Sequence, residues 1–217
     1  MKKSYVLVIL LFAVCFLLTA CLSNEKIYQK SETITDTQRT EETDELSVWL
    51  KQYKAFLQDR VRSEDKENKE SYYLTDYCNW VVPGKTEDGI RYALFDMTGD
   101  GMPELHVLTD ISYTIHTMEN HELVEWYDGD RYNRPLNNGM ILQKGASESG
   151  GDGYIVLDSK GVEVGCVWFG NNGNDYRFST GGEDIKLSKN QWEKLKKPFL
   201  AIGSDKIIWK NRNDLDF

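Results

Sequence analysis

The sequence predicts an α+β domain: a twisted antiparallel β-meander with an N-terminal amphipathic helix and a short C-terminal helix. Three observations carry this. An apolar stripe at helical spacing opens the domain near residue 46. From Tyr72 the period changes to short runs rich in β-branched and aromatic residues. Turn signals separate those runs so closely that no crossover helix fits between them, so neighbouring strands pair as hairpins.

The first helix follows from Leu46, Trp49, Leu50, Tyr53 and Phe56/Leu57, which fall on one face with Lys and Gln opposite. Acidic residues crowd its first turn, as the helix dipole favours. The polar run "RSEDKENKE" then ends or extends this helix as a solvated surface. The expected strands are "NWVV", "IRYALF", "ELHVLT", "YTIHTM", "LVEWYDG", "GMILQK", "GYIVLD" and "EVGCVWF". Between them lie turns such as "TGDG", "MENHE", "DGDRYN", "NNG", "DSKG" and "GNNGND". Ser188 with Gln191 three residues on is a capping-box signal. It starts a helix over "SKNQWEKLKK", with Trp192 and Leu195 inward and Pro198 as the stop. A strand over "DKIIWKN" closes the chain. No internal repeat is present.

Before the domain, Lys2 and Lys3 precede an apolar run from Val6 to Leu18 that is too short for a permanent membrane span. The run ends in "LTAC", residues 18–21. This resembles the lipobox of bacterial lipoproteins. The resemblance implies a signal peptide over 1–20, cleavage before Cys21, and a diacylglyceryl anchor with palmitate-type chains on its thiol. Two acyl chains suffice for stable anchoring. Residues 21–44, rich in Thr, Glu, Ser and Gln without periodicity, read as a disordered tether. Residues 45–217 have the length and apolar content of a single domain.

The chain holds four cysteines. Cys15 leaves with the signal and Cys21 takes the lipid. Cys78 and Cys166 either form one disulfide, as an oxidising exterior permits, or stay as two buried thiols. The formal net charge is −9, and loss of Lys2 and Lys3 makes the remaining chain more acidic still. That argues against a nucleic-acid partner, which requires a basic footprint.

The stretch "ALFDMTGDGMPEL" is the richest in chemistry. Counted from Asp96 as position 1, oxygen donors recur at Asp96, Thr98, Asp100, the Met102 carbonyl and Glu104, with Gly101 where the backbone must reverse. Calcium takes six to eight such oxygens. Two departures from the EF-hand template are plain: Thr98 is neutral, and Val107 stands where a bidentate Glu would be. The flanks are strand-like. The same residues also make a metal-free turn, since Asx side chains bond their own backbone. Mutual repulsion of three carboxylates in one turn favours the cation.

"YALFDMTGDGMPELHVLT" resembles the D-x-D-G-D-G-x-P-E-L loop of Gram-positive surface lipoproteins and is similar to the calcium loops of FG-GAP/VCBS-type repeats. The downstream segments "YTIHTMENHELVEWYDG", "PLNNGMIL", "YIVLDSKGVEV" and "LSKNQWEKLKK" fit the same lipoprotein type. The resemblance implies calcium ligation by Asp96, Asp100 and Glu104, with Thr98 in place of the usual acid. The expected site is structural and weak, on the order of 10⁻⁴ to 10⁻³ M as in extracellular modules. The family carries no assigned activity.

Other constellations are thinner. His106, His116 and His121 lack zinc-site spacing. Ser147 and Ser149 lack a nucleophile-elbow setting, and Cys166 sits in a strand whose burial would leave it inert. "DGDRYN" and "GNNGND" read as hairpin turns. Trp49, Trp126, Trp168 and Trp192 fall at core-facing positions, which argues against a sugar-stacking platform. The expectation is a non-enzymatic, calcium-supported binding or interaction module at the extracytoplasmic face of the cell membrane, with an extracellular or envelope partner. The alternative is an envelope hydrolase that pairs Glu104 with Asp128 or Asp152.

Overall fold

The computed structural model describes residues 36–79, 89–145, 151–182 and 184–217, with side chains from residue 45 onward except at 77–79. The expected signal peptide, Cys21, most of the tether, residues 80–82 of the expected strand over 79–82, Ser147 and Ser149 lie outside the described residues, as does the Cys78 side chain; Asn79 itself ends a helix. Two compact units divide the chain, Met1–Thr43 and Asp44–Phe217. The second is described here. It is mostly β-sheet with a few short helices, and its sheets are rich in antiparallel pairs.

The first helix, α1, spans Asp36–Leu57 and so begins ahead of the expected stripe. The stripe is where the packing is: Tyr53, Phe56 and Leu57 have no exposed surface. Asp59, with φ of 54°, turns the chain out of the helix in the left-handed conformation that Asp tolerates. Arg212 donates to the Leu57 carbonyl at 2.5 Å and to the Asp59 carboxylate, which places a cation at the negative helix end.

The polar run after α1 does not extend it. It forms a small hairpin, β1 (Ser63–Asp65) and β2 (Ser71–Tyr72), followed by the short helix α2 (Leu74–Asn79). The Asp65 carboxylate ties the turn by accepting from the Glu67 and Asn68 N–H groups at 2.7 and 3.2 Å. Apolar periodicity could not reveal β1, because its inward residue is Ser63, fully buried and 2.8 Å from Nδ1 of His116.

The expected single meander is two sheets. Sheet A contains β3 (Arg91–Phe95), β4 (Glu104–Leu108), β5 (Ser112–Glu119) and β6 (Glu122–Asp130) as an antiparallel meander. β1 joins β6 in parallel, and the two-residue β13 (Lys210–Asn211) joins β3, which is all that forms of the expected strand over 205–211. Sheet B runs β12-β11-β10-β9-β8-β7. It holds β7 (Arg134–Pro135), β8 (Ile141–Lys144), β9 (Gly151–Leu157) and β10 (Glu163–Asn172). β11 (Asp175–Ser179) and β12 (Ile185–Leu187), at its edge, are strands that the sequence pattern missed.

Alternation along the strands produces layers. Leu105, Val107 and Tyr92 face α1 and build one core with Tyr53, Phe56 and Leu57. The other face of sheet A sends Tyr113 and Ile115 against Ile141 and Ile155 of sheet B. The last helix, α3 (Lys189–Leu200), covers the far face of sheet B through Phe199, which packs against Tyr154 in a tilted and Phe169 in an edge-on arrangement, with centroids 4.8 and 5.3 Å apart. The Ser188–Gln191 capping box is formed as expected. Pro198 does not stop this helix; it sits in the last turn, where its fixed φ is helical and Phe199 anchors the end. Trp192 and Leu195 are half-buried.

Candidate metal-binding loop

Strands β3 and β4 are paired from Arg91↔Leu108 to Phe95↔Glu104, and the acidic loop joins them. Its turn is built by its own carboxylates. Asp96 accepts the Gly99 N–H at 2.6 Å and the Gly101 N–H at 2.9 Å, one on each oxygen. Asp100 accepts the Met102 N–H at 2.8 Å, and the Thr98 hydroxyl lies 3.5 Å from Asp96. Gly99 and Gly101 take φ of 78° and 93°, the left-handed region that glycine enters without cost.

Glu104 differs from its loop neighbours. It begins β4, is 1 % exposed, and accepts the Met97 N–H at 2.8 Å. Burial pushes its carboxyl up to about 8 against that bond, and the charges of Asp100 and Asp96 raise it further. Asp96, Asp100 and Glu104 therefore lie within electrostatic reach of one another. They are not a finished ligand shell: among the described residues, no group of three or more His, Cys, Asp and Glu side chains is gathered as a metal centre.

Two distant residues hold the loop, and sequence reasoning singled out neither for this task. Tyr53 of α1 donates its hydroxyl to the Pro103 carbonyl at 3.0 Å. Burial raises the pKa of that phenol, and the nearby charges of Glu104 and Asp100 add to the effect. On the other side, Gly139 in the turn before β8 packs on Met97. A Cβ there would stand 2.1 Å from the Met97 carbonyl oxygen, and φ is 80°. The only sequence signal for Gly139 was its place in the "NNG" turn.

The expected carboxylate pairs do not form. Glu104 sits opposite Phe95 on the sheet B side, whereas Asp128 sits opposite Thr114, on the face that carries His116 against Phe56. Asp128 and Glu104 are on opposite faces of sheet A. Asp152 is held between Lys144 and Lys196 at 2.6 and 2.5 Å. Burial raises its carboxyl, but the two lysines outweigh this and keep it below the ordinary value.

His106 and His116 are buried and hydrogen-bonded within sheet A. His106 contacts the Tyr113 hydroxyl at 2.8 Å and the Phe95 carbonyl at 3.3 Å; His116 lies between Ser63 and Thr114, each at 2.8 Å. His121 occupies the β5–β6 turn with φ of 68°. Cys166 is a half-buried thiol between the sheets, and burial raises its pKa. Of the expected turn "DGDRYN", Asp128–Asp130 instead end β6 and only 131–133 turn the chain; Asn133 fixes that turn, donating to Tyr127 at 2.9 Å and accepting from the Lys144 N–H at 3.1 Å. Trp168 is not in a core: its indole lies against the Gly151 and Gly153 backbones.

No family model, no curated protein and no solved structure matches the chain. The likeness to calcium-loop lipoproteins rests on the quoted residues.

Proposed function

We propose that this chain is an exported lipoprotein, anchored through Cys21 to the extracytoplasmic face of a bacterial membrane. Its β domain is a non-enzymatic binding module that calcium supports at the 96–104 loop. The observation that carries the calcium reading is Glu104, a buried carboxyl that accepts the Met97 N–H and is raised first by burial and then by the charges of Asp100 and Asp96. A divalent ion supplies the charge compensation this trio lacks. Asp96, Thr98, Asp100 and Glu104 would hold it through side-chain oxygens, and Met102 through its carbonyl. The bonds from Gly99 and Gly101 leave Asp96 with further lone pairs. The separated carboxylates on opposite faces of sheet A favour binding over hydrolysis.

Two measurements test it. Calorimetry on residues 23–217 should give saturable calcium binding, a raised melting temperature, and loss of both in Asp100→Ala. Silence at millimolar calcium would reduce the loop to a hairpin turn. Labelling with radioactive palmitate should mark the full chain and fail in Cys21→Ala; equal label in both would remove the anchor.

A further inference from the structure

A cavity of about 310 Å³ opens on the face of sheet A that α1 packs against. Its floor carries Ser112, Glu125 and Asp128; the β1–β2 hairpin supplies Asp65, Asn68 and Tyr72 as a wall. A β-bulge makes this floor. Between the pairs Ile115↔Tyr127 and His116↔Glu125, Trp126 is the extra residue. Without it, Glu125 and Asp128 would alternate to opposite faces; with it, Glu125 lies opposite His116 and Asp128 opposite Thr114, both on the cavity side. Parallel pairing of Asp65 with Glu125 brings a third carboxylate from a strand 60 residues away in the chain.

The acids differ in what they do. Asp65 already accepts the Glu67 and Asn68 N–H groups and the Asn68 amide, and Asp76 of α2 accepts the Tyr73 N–H at 2.8 Å. These are turn and cap contacts. Glu125 is 6 % exposed on the floor. The Asp128 carboxyl is raised by burial first and by the charge of Asp65 second. No Lys, Arg or His is among the described lining residues.

We propose that this cavity binds a small organic cation, a primary ammonium or guanidinium compound, with Glu125 and Asp128 accepting its N–H groups. The volume sits at the lower end for small-molecule pockets. Tyr72 and Ile111 offer apolar surface for a carbon chain, while Ser112 and Asn68 add neutral polar contacts. A bare metal fits less well, since the carboxylates ring a space and do not converge on a point. The inference rests on the reading of the domain as a binding module and names a ligand class for it, at a place separate from the calcium loop.

The test is calorimetry with agmatine at physiological salt, on the wild-type protein and on Asp128→Asn, Glu125→Gln and Glu193→Ala, with melting curves for each. The expected result is saturable binding to wild type, at least tenfold weaker in Asp128→Asn and Glu125→Gln, and unchanged in Glu193→Ala. That last variant loses an exposed carboxylate of α3, outside the cavity and the loop, so it separates a site from net-charge attraction. Tyr72→Ala, with a several-fold loss expected, serves if the floor variants do not fold. Absence of binding to folded wild type, or equal weakening in Glu193→Ala, would overturn the proposal. Because calcium heat is read at the loop in the same samples, agmatine can fail while the calcium reading stands, and the reverse.

Discussion

Glu104 and Asp152 are both buried carboxylates near the start of a strand, one in each sheet, and they titrate in opposite directions. Glu104 has the Met97 N–H and two acidic neighbours, and its carboxyl rises to about 8. Asp152 has two lysines within 2.6 Å, and its carboxyl falls below the ordinary range. Burial pushes both upward; the neighbours decide the outcome. Charge that the fold neutralises serves packing, here by pinning α3 to sheet B through Lys196. Where the neighbours are themselves acids, burial and their charge drive the carboxyl towards its neutral form.

Four experiments break or sharpen this contrast. The largest effect is expected from Asp152→Asn, which leaves Lys196, 8 % exposed, without its ion partner. Urea denaturation should show a loss of about 3–5 kcal/mol. Lys196→Met should cost much less, because Lys144 still neutralises Asp152; equal losses would mean that the pair does not act as described.

Glu104→Gln comes next. A carboxyl whose folded pKa is raised contributes stability that is present below the unfolded value and lost as pH rises through about 8. Without calcium, the contribution of Glu104 should therefore fall between about pH 4.5 and 8, and the variant should exceed the wild-type protein by roughly 2–4 kcal/mol at pH 9. The variant should also lose the calcium-induced rise in melting temperature. On the acid side the sign reverses. Burial lowers His106 to about 4 and His116 to about 3, so their contribution is lost as pH falls from about 6.5 through those values. The two windows overlap between about pH 4.5 and 6.5 with opposite slopes. The difference between wild type and Glu104→Gln across a pH series of melting temperatures therefore isolates the Glu104 limb, and what the variant retains is the histidine limb.

Gly139→Ala tests the support beneath the loop. Its Cβ would meet the Met97 carbonyl at a left-handed φ, and a loss of about 2–3 kcal/mol is expected. Gly173→Ala, also left-handed but with open space around it, should cost only about 1 kcal/mol. The smallest effect is Tyr53→Phe, which deletes the bond to Pro103 at about 1 kcal/mol. Calcium affinity should drop measurably with it; an unchanged affinity would detach α1 from the loop.

Much of this architecture was legible locally. The stripe ending in Tyr53, Phe56 and Leu57 marked the buried end of α1, and alternation marked β3 through β6 and β8 through β10. Ser188 and Gln191 marked the start of α3. The acidic loop was visible as spaced oxygens between strands. What escaped was set elsewhere in the chain. β1 hides because Ser63 is buried by bonding to His116, not by being apolar. The division into two sheets depends on which faces meet, and the bulge at Trp126 depends on register with β5.

The sequence by itself determined the period of the buried end of α1, of β3 to β6 and of β8 to β10, the cap at Ser188 and the acidic motif at 96–104, because each is decided by residues within a few positions of one another. Tertiary structure alone decided that Glu104 is buried within reach of the charges of Asp96 and Asp100, that Asp152 meets two lysines, and that Glu125 and Asp128 share the cavity floor. A carboxylate's behaviour depends on its solvent exposure and on charges within a few ångströms, and those are supplied by segments far along the chain.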